Sequence, residues 1–182
     1  MRLGTRSLVR FLSATVAWTT ITSGDLAAQN PVNRTEQAIV RAVDAGNGSG
    51  LALLRRLVEI NSGSMNFDGV RAVGSILRAQ FDSLGFRTRW VDGAAFNRAG
   101  HLVAEHPGPG PGLLLIGHLD TVFEPDNAFQ HWHQLDDTTA KGPGITDMKG
   151  GDVIIVQALK ALKAAGQLDR MNITVVMTGD EE

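Results

Sequence analysis

Apolar residues recur along this chain in two rhythms, one helical and one strand-like. Ile39 and Val43 lie about one helical turn apart, and Thr35 can cap a helix running to about Ala45. The run Gly46-Asn47-Gly48-Ser49-Gly50 is expected to break that helix, because glycine is costly in a helix interior. Leu51, Leu54 and Val58 then resume helical spacing and stop before Asn61-Ser62-Gly63-Ser64. A longer stripe of Val70, Val73, Leu77, Phe81 and Leu84 predicts a third helix, with Gly85 as its stop. From Phe86 to Val91 the β-formers Phe86, Thr88, Trp90 and Val91 predict a strand, and His101 to Glu105 a second one. Leu113 to Ile116 is a continuous apolar run, expected as a central strand buried on both faces. Ile155, Leu159 and Leu162 mark a helix from Asp147 to Ala165, and Gly166 ends it. Ile173 to Met177 reads as another buried strand. Such alternation predicts an α/β domain, a central, mostly parallel or mixed sheet flanked by helices.

The connecting segments change that picture little. Pro107-Gly108-Pro109-Gly110-Pro111-Gly112 reads as a tight turn and not as a phosphate loop: no Gly-Lys-Ser/Thr follows, and proline has no N–H to offer. Residues 123–137 lack periodicity and are expected to form a loop or insertion. Residues 1–28 differ from the rest. Arg2, Arg6 and Arg10 precede a mostly apolar stretch, and Leu26-Ala27-Ala28 offers small residues before Gln29. That order predicts a secretory signal peptide cut near Ala28, with export to the periplasm or the medium; an organellar transit peptide is the rival. Its apolar part is about a dozen residues, short of the ~20 that a spanning helix needs. Residues 29–182 then carry the catalytic-domain candidate.

Composition narrows the chemistry. The chain has 182 residues, 17 Lys plus Arg against 19 Asp plus Glu, a net charge of −2, five His and no Cys. That balance argues against nucleic-acid binding. Without cysteine, disulfide scaffolds, thiolate catalysis and Cys-ligated zinc are excluded, so any metal must be held by His and carboxylate.

Three polar segments stand at the ends of expected strands or at the mouth of a helix. They are Gly117-His118-Leu119-Asp120-Thr121-Val122, Gly142-Pro143-Gly144-Ile145-Thr146-Asp147-Met148-Lys149-Gly150-Gly151, and Thr178-Gly179-Asp180-Glu181-Glu182. Ligands of open α/β sheets bind beyond the carboxyl ends of the strands, so His118, Asp147 and the Glu pair could converge at one rim. His with several carboxylates suits Zn²⁺ or a similar divalent ion. Asp120, two positions after His118 on extended backbone, faces the same way and can accept the other imidazole N–H. Glu181 and Glu182 point apart, so one can bind metal while the other acts as general base. Taken singly, each has a plainer reading: a hydrogen-bonded structural His, an Asp capping a helix, a solvated acidic pair. Asp120-Thr121 also hints at an aspartic protease, but Val122 stands where Gly or Ser is expected and no second copy appears; another α/β hydrolase with Asp120 as nucleophile is a remoter alternative. His131 and His133 could form a second metal pair, though a polar loop near the site is favoured, since no carboxylate cluster accompanies them.

Together the three segments resemble the di-zinc exopeptidase and deacylase family of glutamate carboxypeptidase, acetylornithine deacetylase, succinyl-diaminopimelate desuccinylase and aminoacylase. The Ile60-Asn61-Ser62-Gly63-Ser64 turn and the Leu84-Gly85-Phe86 junction fit too, and His118-Leu119-Asp120-Thr121-Val122-Phe123 is nearest the bacterial glutamate carboxypeptidase branch. The resemblance implies two divalent ions, Zn²⁺ before Co²⁺ or Mn²⁺, with His118 and Glu182 as metal ligands and Asp147 bridging the ions. It makes Glu181 the general base and Asp120 the residue that orients His118. It also implies a peptide or N-acyl amino acid substrate, amide hydrolysis by a metal-activated water, and a homodimer. The family adds an acidic ligand, a late His ligand and a dimerisation domain beyond the Glu pair. The expectation is therefore an amino-terminal part of a longer enzyme, inactive by itself; a catalytically silent metal- or peptide-binding relative is the alternative.

Overall fold

The computed structural model describes residues 32–182; the expected signal peptide lies outside the described residues. Helix α1 spans Arg34–Val58 without interruption. Its cap is Asn33 and not Thr35: the Asn33 side chain accepts from the Glu36 N–H at 3.0 Å, and the Glu36 carboxylate accepts from the Asn33 N–H at 2.7 Å. The glycine-rich run that was expected to break the helix lies inside it. Packing explains the difference, since a Cβ at Gly46 or Gly50 would come within 2.8 or 3.2 Å of the Gln157 side chain on α3 (Gly150–Ala164). These glycines are the surface that lets two helices approach, and the contact offsets their low propensity.

Helix α2, Phe67–Leu84, ends as its stripe predicts, with Gly85 in the left-handed region at φ 95°. Strands β1 (Arg87–Asp92), β2 (Gly100–His106) and β3 (Gly112–His118) follow. A small hairpin of β4 (His133–Gln134) and β5 (Ala140–Lys141) interrupts the long loop, and β6 (Asn172–Thr178) follows α3. The main sheet is mixed, in the order β1-β2-β6-β3: β2 is antiparallel to both neighbours, while β6 runs parallel to β3 across the α3 crossover.

One face of this sheet builds the core. Leu102, Ala104, Ile173, Val175 and Met177 pack with Leu57 of α1, Val73, Leu77 and Phe81 of α2, and Val156 and Leu159 of α3. On the other face β3 departs from expectation. Leu114 and Ile116 are 56% and 64% exposed, because β3 is an edge strand here and the three helices pack on the opposite side of the sheet. A continuous apolar run announces a strand but not its position in the sheet. No helix among the described residues is long and apolar enough to cross a membrane.

Candidate metal centre

The parallel pair β3 and β6 ends in register, His118 opposite Thr178, so the residues that follow each strand emerge at the same rim. Leu119 N–H donates to the Thr178 carbonyl at 2.7 Å, extending the pairing one residue further. The third segment arrives from the loop before α3. That helix begins at Gly150, not at Asp147: Asp147 is extended, Met148 is also non-helical, and their peptide bond is cis. Asp147 therefore caps no helix, which removes its plainest structural reading. Gly144, in the left-handed region at φ 74°, makes the turn that delivers Asp147, and a Cβ there would come within 2.7 Å of Thr121.

These elements bring together the residues the sequence singled out. His118, Asp147 and Glu182 each present a ligand atom, all within 4.8 Å of one another. His118 Nε2 is 3.0 Å from Asp147 Oδ1 and 3.9 Å from Glu181 Oε2, so Glu181 stands at the edge of the cluster. The imidazole is buried, whereas the Asp147 and Glu181 carboxylates are largely open to solvent. Among the described residues no other such cluster of metal-ligating side chains occurs.

Asp120 lies beneath, fully buried. His118 Nδ1 is 3.1 Å from the Asp120 main-chain oxygen and 3.5 Å from its carboxylate Oδ1. The expected carboxylate–imidazole contact is thus shared with the backbone carbonyl, which is the nearer acceptor. The other carboxylate oxygen is crowded with donors: Ser64 O–H at 2.8 Å, Glu181 N–H at 2.9 Å and Glu182 N–H at 3.2 Å. Asp120 thereby ties the Glu pair to the His strand through main-chain amides. Asp180 adds an ion pair with Arg98, fixing the same turn from outside.

Burial alone would raise the Asp120 carboxyl, but His118, these amides and Ser64 outweigh it and bring it down to about 2. His118 is pushed up to about 9, first by Asp120, against burial, and then by Asp147. Glu182 is raised by burial and by the neighbouring negative charge of Asp147. An excess of carboxylates around one imidazole is an arrangement that a cation relieves, and hard oxygens plus one imidazole nitrogen suit a divalent ion. The donor set fits a metal.

Sequence reasoning missed three neighbours. Ser64 was visible only as part of a small-residue turn. Lys149, fully buried, donates to the Ile60 carbonyl at 2.8 Å and is lowered to about 8 by burial. Asp152, also fully buried, is raised to about 8 by burial, and neither carboxylate oxygen has a partner. Lys149 immediately precedes α3 and Asp152 lies in its first turn, and both are buried. His131 and His133 lie apart from the cluster: His131 Nδ1 is 3.0 Å from Glu59 Oε2, and His133 is on the exposed hairpin.

Residues 114–182, which contain the cluster, match the model of peptidase family M20/M25/M40. Over that span the chain resembles this family. It is 31% identical to carboxypeptidase G2 of Pseudomonas sp. over 97% of this chain and 42% of that protein. It is 33% identical to succinyl-diaminopimelate desuccinylase of Gluconacetobacter diazotrophicus over 72% of this chain and 34% of that protein. Among solved structures, human carnosine dipeptidase 1 shares the fold, with a TM-score of 0.67 at 19% identity over 79% of this chain and 34% of that one. The chain thus spans less than half the length of the curated relatives it matches.

Proposed function

We propose that this chain carries part of the active site of a metal-dependent amidohydrolase that cleaves a peptide or an N-acyl amino acid, of carboxypeptidase or deacylase type. The convergence of His118, Asp147 and Glu182 at the carboxyl ends of two parallel strands, with Glu181 beside them, carries this reading. Those three side chains would hold the metal, two Zn²⁺ ions before Co²⁺ or Mn²⁺. When bound, the ions would supply a Lewis acid for the scissile carbonyl and a lowered pKa for the attacking water.

The chain's own residues do the rest. Glu181, exposed at the edge of the cluster, takes the proton from the attacking water and passes it to the leaving amine. Asp120 holds the His118 ring and, through its carboxylate oxygen, the backbone from which both Glu side chains project. The names of the two curated relatives, a carboxypeptidase and a desuccinylase, support amide substrates that leave a free amino group. Cleavage of the leader near Ala28, export and assembly as a homodimer complete the proposal; amino-terminal sequencing of the secreted protein and light scattering test them.

The decisive experiment is Glu181→Gln in the natural full-length protein loaded with Zn²⁺. Hydrolysis of N-acyl amino acids and dipeptides is expected to fall by about 10²–10⁴-fold with metal content unchanged. Undiminished hydrolysis by that variant would refute the assignment.

A further inference from the structure

Beside the cluster lies a cleft of about 400 Å³, an adequate size for a substrate side chain. Asp147 and Glu182 are among its lining residues, so whatever occupies the cleft adjoins the proposed reaction centre. Much of the lining is apolar: Val122, Phe123, Phe129 and Ile145 contribute to it, and Phe123 and Phe129 meet edge to face with centroids 5.2 Å apart. Its walls are tied to the scaffold. Asn61 Nδ2 donates to the Phe123 carbonyl at 2.8 Å and to Gln130 Oε1 at 2.6 Å, and Gln130 Nε2 donates back to Glu124 and Asn127 carbonyls at 2.8 and 2.7 Å. Lys141 is the one cation in the lining, and among the described residues its ammonium makes no ion pair or hydrogen bond.

A cleft lined by an apolar aromatic pair, a free ammonium and the proposed metal ligands asks for a group that joins a bulky apolar side chain to an anion. We propose that it binds the amino-acid portion next to the scissile bond, with a side chain of Leu or Phe size against Phe123 and Phe129 and its α-carboxylate on Lys141. With its carboxylate held by Lys141, the amino acid keeps its nitrogen free for the reaction centre that adjoins the same cleft. A glutamate side chain would place a second negative charge against the apolar lining, at the cost of burying an unpaired carboxylate. The amino acid selected is therefore apolar. This assignment rests on the amidohydrolase reading for its chemistry but not for its binding.

Two measurements on the natural full-length protein keep those apart. Calorimetry with free phenylalanine, the expected product, should detect binding that Lys141→Met and Phe129→Ala each weaken about tenfold or more, with phenylalaninamide failing to compete. Hydrolysis should favour N-acetyl-phenylalanine and N-acetyl-leucine over N-acetyl-glycine and N-acetyl-glutamate by at least tenfold in kcat/KM. Lys141→Met should raise KM for these substrates with little change in kcat, whereas a variant that merely unfolds the loop would lose metal as well. Preference for glutamate, or phenylalanine binding indifferent to both substitutions, overturns the proposal. Lys141-dependent binding of phenylalanine without any hydrolysis supports the cleft while refuting the amidohydrolase reading.

Discussion

The two halves of the candidate site are built on opposite principles. On the β3 side, His118 and Asp120 are buried, and Asp120 accepts three hydrogen bonds on a single oxygen. On the other side, Asp147 and Glu181 are 72% and 55% exposed, and the carboxylates crowd one another. The first half is positioned by the protein before any ligand arrives. The second is a group of carboxylates with one imidazole as their partner, an arrangement that a bound cation would organise. Orientation is thus paid for in folding, and affinity is kept for the ion.

Removing the buried anchor should break this contrast most severely. In Asp120→Ala, His118 loses its carboxylate neighbour and the Glu181 and Glu182 amides lose their acceptor. Metal affinity is expected to drop by about 10–100-fold, as for other residues that orient a ligand. Competition with a chromophoric chelator measures it, and affinity within twofold of the parent would show that the backbone alone sets the geometry.

Asp152 should respond in the opposite direction. Its carboxyl, raised to about 8, is held neutral by burial. An acid raised on folding carries a penalty that is absent below its unfolded value near 4, grows as pH rises and is complete near 8. Asp152→Asn is expected to leave stability unchanged near pH 4 and to raise it by about 1–3 kcal/mol at pH 8, the usual cost of a buried unsatisfied group. Denaturant midpoints at both pH values test this; a pH-independent effect would point to packing instead.

His118 sharpens the comparison in the metal-free protein. Raised to about 9 from an ordinary value of 6.5, the protonated ring contributes stability that is fully present below pH 6.5 and lost as pH rises through 9. With chelator present, melting temperature should therefore fall over that window. Saturating Zn²⁺ should reverse the slope, because a ligand histidine must be neutral. A parallel decline with and without metal would sever the link between this ring and the ion.

The smallest effect is expected at Ser64. Its hydroxyl contributes one of three donors to Asp120, so Ser64→Ala should cost about 1 kcal/mol of stability and leave metal stoichiometry intact. Equilibrium unfolding checks the first and metal analysis the second.

Much of this architecture was legible in local pattern. The Val70–Leu84 stripe and Gly85 define α2 because periodicity and a left-handed stop are local properties. His118, Asp147 and Glu182 could be grouped because each follows a strand or precedes a helix in an α/β order, and such ends share a rim. Three features were not legible, each for a non-local reason. The glycines of α1 stay helical because Gln157 packs over them. Among the described residues the Leu113–Ile116 run stands at the sheet edge, and its hydrophobicity does not report its place in the strand order. Ser64 reaches Asp120 across 56 residues of sequence, a contact that no spacing rule anticipates.

By itself, then, the sequence determined the alternation of elements, the absence of thiol chemistry and the set of side chains able to hold a cation. Tertiary structure alone decided that Asp147 stands on extended backbone outside the helix, that Lys149 and Asp152 turn inward, and that one buried carboxylate oxygen gathers three donors from two distant segments. The reason is physical: propensity and periodicity act over a few residues, whereas burial and hydrogen-bond satisfaction depend on which distant segments meet.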